Sequence, residues 1–421
     1  MDKIIDSACK WIQLCTCLTG LIFSESLLSN EAGSDNSKSE ESRVPALALG
    51  FSRYAPRGAT LVTGVLLIEI GNTFGTPIGV TNQLNATHSL LALITAIAMG
   101  VVSIKLKMRT LLLTGLLLSV LSALGCFLST SFQMLFLLYA LNGIAWSLIY
   151  PMTTALIGEI YTQDNRARMF SIIFAVPPLI TIFGSPIVAT IGEWRKALLI
   201  FALPIAVTSL VLVWLKIPTV TSRKEISPVS AFKELISNTS ALSCLVSYFL
   251  SSITWQIIGV LSISFLREYH MLPKETTSLI YSGFALAVFA GALSGSKIVE
   301  RLGIKMSTVT LQIIRGVSAV LFVLVPYPIV AAGLGIIACL VSGLGQPAQS
   351  SLTIEQMPEI RGSIMSLSTA FTNLGGTVGA LVASYLLLGY GWRVAGTVLG
   401  VIGIFAGVIL QLFASESSTI T

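Results

Sequence analysis

The 421 residues include 25 Lys and Arg against 19 Asp and Glu, a formal net charge of +6, yet charged residues are only 10% of the chain and apolar ones 54%. A soluble domain carries about a quarter charged residues. The composition therefore excludes an ordinary water-soluble fold and points to a chain dissolved in lipid. Apolar runs of about 20 residues, the length that crosses a bilayer, are read near 58–80, 87–104, 111–130, 133–157, 169–191 and 197–215. A second set follows near 241–266, 278–295, 307–326, 328–348, 363–388 and 394–413. They predict an all-α polytopic membrane protein with twelve transmembrane helices in two groups of six. Barrel strands of about 10 residues would be far shorter and would alternate. The predicted division is an N-terminal extension 1–57, a first bundle 58–215, a cytoplasmic linker 216–240, a second bundle 241–413 and a tail 414–421.

The basic residues report topology rather than a nucleic-acid partner, and none is expected. With both ends inside, Arg53, Arg57, Lys105, Lys107, Arg109, Arg166, Arg168, Lys216, Arg223, Lys224, Lys233, Lys297, Arg301, Lys305 and Arg361 fall on the cytoplasmic side. Arg195, Lys196, Arg267, Lys274 and Arg393 fall outside. Such an excess of Lys and Arg in cytoplasmic loops orients a membrane protein. The expected location is the plasma (cell inner) membrane with cytoplasmic termini. The six cysteines and two histidines form no disulfide or metal spacing, so no metal or cofactor is expected. No loop exceeds about 20 residues or carries a nucleophile, base and orienting group together, which argues against an enzyme.

In chain order, Ile4, Ile5, Ala8, Trp11, Ile12, Cys15, Leu18 and Ile22 fall at helical spacing, as in a helix on the membrane surface or a signal peptide. Residues 29–42 are polar without apolar period and are expected to be disordered. The first span holds Glu69 in V-L-L-I-E-I-G-N-T-F-G-T-P, with every other carboxylate in a loop or tail. An ionised carboxylate within a span costs several kcal/mol or takes up a proton. Glu69 is therefore read as a proton-coupling or substrate-binding group, the alternative being a carboxylate held neutral for packing. Asn72 lies about one turn from it, and Gly71, Gly75 and Pro77 loosen the helix beyond.

The connection 294–306, S-G-S-K-I-V-E-R-L-G-I-K-M, separates the eighth and ninth spans. Its Ser296, Glu300, Arg301, Gly303 and Lys305 resemble the Gly-x-x-x-Asp-Arg-x-Gly-x-Lys loop motif of the major facilitator superfamily, with Ser for Gly and Glu for Asp. The corresponding loop after the second span keeps Lys105, Lys107 and Arg109 but neither the acid nor the glycine. Gly143 and Pro151 match the family's fourth helix, where a common arginine is replaced by Tyr139. Gly184, Pro186, Trp194, Arg195, Phe201 and Pro204 resemble the fifth-helix motif of drug and metabolite exporters in that superfamily, and Pro177, Pro178 and Pro186 predict a bent, gate-like helix. Pro151 and Pro347, Arg166 and Arg361, and Trp194–Arg195 and Trp392–Arg393 recur in order at offsets near 195 residues, as in a duplicated six-helix unit.

The resemblance implies two pseudo-symmetric bundles, a substrate site between them near the midplane, and alternating access. Candidates for the cavity are Tyr139, Asn142, Trp146, Tyr150, Trp255, Gln256, Gln346 and Asn373. Arg315 must lie in or near the hydrocarbon for its span to cross, which favours snorkelling or a structural partner. The spans as drawn contain no pair of arginines. Two cytoplasmic charge clusters are expected to close the inner face: Glu300 and Arg301 with Arg166 and Arg168, and Lys105, Lys107 and Arg109 with Glu355 and Glu359. The expected function is secondary transport of a small organic solute, exported against protons through Glu69, the solute being cationic or neutral. Alternatives are uptake of a small metabolite or anion by the same fold, and a non-transporting sensor or scaffold. The expected partners are that solute, protons and the bilayer, and the expected state is a monomer.

Overall fold

The structure is a computed structural model that describes residues 36–102, 107–160, 163–218, 238–357 and 361–415, with the side chains of 36–44, 46, 100–102, 158, 159, 163–175, 295–300, 361–363 and 366 left out. The amphipathic stretch 4–22 and most of the linker lie outside the described residues. The first half contains α1 (Asn36–Val65), α2 (Leu67–Phe74), α3 (Ile78–Thr81), α4 (Gln83–Val102), α5 (Met108–Leu128), α6 (Phe132–Ile160), α7 (Gln163–Ile191), α8 (Trp194–Ala197) and α9 (Leu203–Lys216). The second contains α10 (Thr239–Trp255), α11 (Ser262–Glu268), α12 (Lys274–Leu302), α13 (Ile304–Leu324), α14 (Pro328–Gln356) and α15 (Arg361–Phe413). Single π-turns, Leu198–Ala202 and Gln256–Val260, join α8 to α9 and α10 to α11. Among the described residues there is no strand.

Eight of these stretches are long and apolar enough to cross a bilayer, and the last, Leu367–Phe413, is two arms joined at Gly391 (φ 76°). The first, second and fifth crossings are α1 with α2, α3 with α4, and α7, and they complete the twelve. Only the first crossing departs strongly from the expected boundaries. It begins at Asn36 instead of 58, taking in the end of the segment expected to be disordered. The cause is local: the run V-P-A-L-A-L-G-F, residues 44–51, is apolar, and Ala48, Leu49 and Ala55 are buried in the bundle. Arg53 and Arg57 therefore lie inside the helix, not in a cytoplasmic tail.

The two halves repeat one packing scheme. α1 packs on α7, α4 and α5 pack on α6, and α5 packs on α9; correspondingly α10 packs on the first arm of α15, α12 and α13 on α14, and α13 on the second arm. A smaller detail repeats as well. The Trp194 indole donates to Thr73 Oγ1 at 3.0 Å, and the Trp392 indole donates to Glu268 Oε2 at 3.1 Å. Thr73 and Glu268 are separated by the same offset, 195 residues, as the sequence landmarks.

The halves meet along α4 with the first arm of α15, and along α7 with α12. Asn82 donates to Ala380 O and Ser384 Oγ at 3.3 Å, Ser185 to Ser278 O at 3.1 Å, and Ser282 to Ile182 O at 2.7 Å. Leu67 and Ile78 join the second half's core, while Ile263 and Tyr281 join the first half's. These described contacts run from mid-depth to the end where α2 finishes.

Candidate functional site

At that end Arg267 of α11 grips Glu69 of α2. Nη1 donates to Oε2 at 2.8 Å and Nη2 to Oε1 at 2.7 Å, a bidentate fork, and Nη1 also reaches the Val65 carbonyl at 3.4 Å. Their side chains are 15% and 20% exposed, so water screens the pair only partly. Glu69 stands five residues before Phe74, roughly 8 Å along a helix rising 1.5 Å per residue. It is near one end of its crossing, not at the centre. Asn72, on the same short helix, is exposed. Arg267, read from sequence as a loop residue, is the missed partner; its side chain meets Glu69 only through tertiary packing.

A second constellation lies at mid-depth. Trp146 is the middle residue of the 29-residue α6, and its ring stacks on Tyr150 one turn away (centroids 4.8 Å, interplanar 22°). The Arg57 guanidinium lies 5.1 Å from the Trp146 ring centre, and that of Arg53 lies 3.6 Å from the Tyr150 ring centre, within the range of cation–π attraction. Arg53 is fully buried and donates to Thr154 Oγ1 at 3.1 Å. Arg57 is half-buried and close enough to the hydroxyls of Tyr54 and Tyr281 to act on them electrostatically, Tyr281 belonging to the other half. His88 of α4 presents its ring to Trp146 and Tyr139 at 6.1 and 5.9 Å.

The local chemistry explains how these side chains converge. Pro56 lies between the two arginines, and its carbonyl accepts the Asn142 amide at 2.9 Å, which fastens α1 to α6 at this level. Gly143 lets α4 approach, since a Cβ there would stand 2.1 Å from the His88 carbonyl oxygen. The spacing of Arg53 and Arg57, one helical turn apart after an apolar run, was the signal in the sequence. An arginine at the centre of a span costs about 2.5–3.5 kcal/mol on insertion scales and so faces the bundle interior or a cavity. The ion pairs Arg267–Glu69 and Lys196–Glu193 both lie away from this depth. A second cation 4 Å from Arg57 would be opposed by roughly 4 kcal/mol at an effective dielectric constant of about 20.

The remaining candidates divide. Tyr139 and Asn142 are buried beside the arginine and aromatic groups, which brings the first-half cavity set together. Gln256 instead donates to the Gly376 carbonyl at 3.1 Å and ties α10 to α15, Trp255 leans over Gly259, Asn373 is buried, and Gln346 is exposed. The exporter-like residues act as fasteners. A Cβ at Gly184 would meet the Phe201 ring at 2.5 Å and Leu61 at 3.0 Å, Pro186 is partly buried beside it, and Arg195 donates to Ser129 O at 2.6 Å. Of the cytoplasmic clusters, Lys105 and Glu359 lie outside the described residues, as do the side chains of Arg166, Arg168 and Glu300. Lys107 and Arg301 are exposed, Lys305 and Glu355 are partly buried, and Arg109 donates to the Trp214 carbonyl at 2.6 Å. Gly303 forms the turn between α12 and α13 at φ 79°, a conformation that favours glycine. Arg315 is partly buried, with Nε and Nη2 lacking a hydrogen-bond partner among the described residues.

Twelve crossings in two repeated bundles, with charged and aromatic groups on the seam, match a known family. The model of the Major Facilitator Superfamily matches residues 48–246 and 244–419. The chain belongs to this superfamily. Two relatives from Bacillus subtilis (strain 168) are the uncharacterized MFS-type transporters YwfA and YceJ. YwfA is 25% identical over 412 residues, covering 92% of this chain and 95% of its own. YceJ is 24% identical over 341 residues, covering 78% and 85%. Among solved structures, a point mutant of the nucleoside transporter NupG superposes with a TM-score of 0.73 at 15% identity, over 89% of this chain and 100% of its own. The human organic anion transporter MFSD10 (TETRAN) gives 0.68 at 15% identity, over 88% and 99%. At that identity the likeness is one of fold. It extends the family match from sequence to architecture, an integral membrane transporter fold of two six-helix bundles.

Proposed function

We propose that the chain carries a small organic solute across the membrane by alternating access, with the Glu69–Arg267 pair as its outer gate. The observation that carries this reading is the bidentate ion pair joining the two halves at one end of the seam. The distribution of Lys and Arg supports placing that end outside. Rocking of the halves about a central site has to separate α2 from α11, and so has to break this pair before the solute can leave or enter there. The Asn82 bonds to Ala380 and Ser384 are a second strand of the same closure. The resemblance of residues 184–204 to exporters supports export as the direction.

Glu69 takes the role of gate here instead of proton carrier. A group that carries protons through the membrane must meet water on each side in turn. Glu69 lies at the sealed end, roughly 24 Å along the helices from Arg53 at 1.5 Å per residue. The test is to reconstitute the purified chain in vesicles, impose a pH gradient, and follow both solute and proton movement for native protein and Glu69→Gln. A gate predicts solute movement whose rate changes in Glu69→Gln without a change in protons moved per solute. Proton movement that accompanies the solute only with native Glu69 would make it the carrier and end the gate assignment.

A further inference from the structure

Arg57 is distinctive among the interior groups. It is half-buried at the middle of the membrane span, on the seam between the halves, and has no carboxylate partner among the described residues. Its surroundings are a ladder of rings. Trp146 lies beneath the guanidinium, Tyr150 stacks on Trp146, and His88 stands edge-on to it with Nε2 buried and lacking a hydrogen-bond partner among the described residues. Tyr281 closes the other side, its hydroxyl donating to the Gly259 carbonyl at 2.9 Å. Arg53, one turn along, adds a second positive charge to the same wall.

Resting on the reading of this seam as the solute's path, we propose that the seam at this level binds a small aromatic carboxylate, its carboxylate on Arg57 and its ring against Trp146 and His88. A planar guanidinium fork matches the two oxygens of a carboxylate. A charge held at mid-depth without a counter-ion among the described residues is completed by a ligand of opposite sign, and a cation would be opposed by the charge of Arg57. Conjugated rings offset or edge-on to Trp146 and His88 are the favoured aromatic geometry. This proposal departs from the expectation of a cationic or neutral solute, which followed from taking Glu69 as the single acid within the spans that exchanges a proton for the solute.

The test uses one ring and three charges: benzoate, benzamide and benzylamine, with acetate as the carboxylate lacking a ring. Each is offered in radiolabelled form to vesicles holding the full-length chain, and binding is read in parallel from quenching of tryptophan fluorescence. Benzoate is expected to move at least tenfold faster than benzamide, benzylamine or acetate. Arg57→Gln should abolish that preference, and Arg57→Lys should keep part of it because a point charge remains. Thermal melting of each variant identifies one that has merely unfolded, and Arg57→Lys then carries the test. Equal movement of benzamide or benzylamine, or a preference for benzoate unchanged in folded Arg57→Gln, would overturn the substrate class while leaving the transporter reading intact. Movement of no solute, together with a seam that never opens at the Glu69 end, would instead overturn the transporter reading.

Discussion

Replacing Glu69 with Gln should shift the chain toward a state open at the α2–α11 end. The substitution keeps the side chain's shape and one acceptor for Arg267 but removes the negative charge. A hydrogen bond to a charged group contributes about 1.5–3 kcal/mol, and the pair has two, at 2.7 and 2.8 Å. With side chains 15% and 20% exposed, some solvent screening remains, so the closed state should lose about 1–3 kcal/mol, a shift of roughly 5- to 150-fold. Pulsed electron resonance between spin labels at Thr130 and Thr276, both exposed at this end, would read the shift in a cysteine-free background as a longer-distance population. Arg267→Met should give a similar shift, and the double variant should add little, because each single change already removes the interaction. Exchanging the charges, with Glu69→Arg and Arg267→Glu together, should restore the short distance. Unchanged distances in Glu69→Gln, or single variants whose effects add in full, would refute the gate.

Asn82→Ala removes two 3.3 Å bonds across the same seam; between neutral groups these contribute about 1 kcal/mol, so the same labels should show a smaller opening than Glu69→Gln, near fivefold. Gly143→Ala places a methyl where the His88 carbonyl stands 2.1 Å away, and overpacking of this kind costs about 1–3 kcal/mol, read as a lower melting temperature and displaced His88. Asn142→Leu leaves the Pro56 carbonyl without its donor. Interhelical hydrogen bonds in membranes contribute about 0.6–2 kcal/mol, so a modest loss of thermal stability is expected, with weaker binding of benzoate because Arg53 and Arg57 flank that carbonyl.

The crossings were legible because lipid demands long apolar runs, and the repeat because duplicated landmarks keep their order. The first boundary was misread for a physical reason as well. Arg53 and Arg57 look like residues that mark a cytoplasmic end, and only their burial against Tyr150 and Trp146 lets the helix continue through them. Glu69 was visible as an acid inside a span, but its neighbour Arg267 lies 198 residues away in sequence, and nothing local says that the two meet. Tyr139, Asn142, Trp146 and Tyr150 were found together because they share one helix. Gln256 was an equally good candidate by residue type, yet its amide is used to hold α10 to α15, a choice that depends on the facing Gly376 carbonyl.

The Glu69–Arg267 pair and the Arg57 and Trp146 group are joined by one helical crossing. Arg57 lies on α1 and Glu69 on α2, with Leu66 between them at φ −113° and ψ 27°. The backbone bonds continue across this break, from Leu66 N to Val62 O and from Ile70 N to Leu66 O at 3.0 Å, so it is a bend and not a free joint. Arg267 touches both sides of it, the Val65 carbonyl before the bend and the Glu69 carboxylate after it. Loss of that grip therefore removes a contact from the bend and a contact from the seam together. A ligand that moves Arg57 acts on the same helix, and its effect reaches the gate through continuous backbone, with Arg267 as the clamp that decides whether α2 follows α1 or stays with the other half.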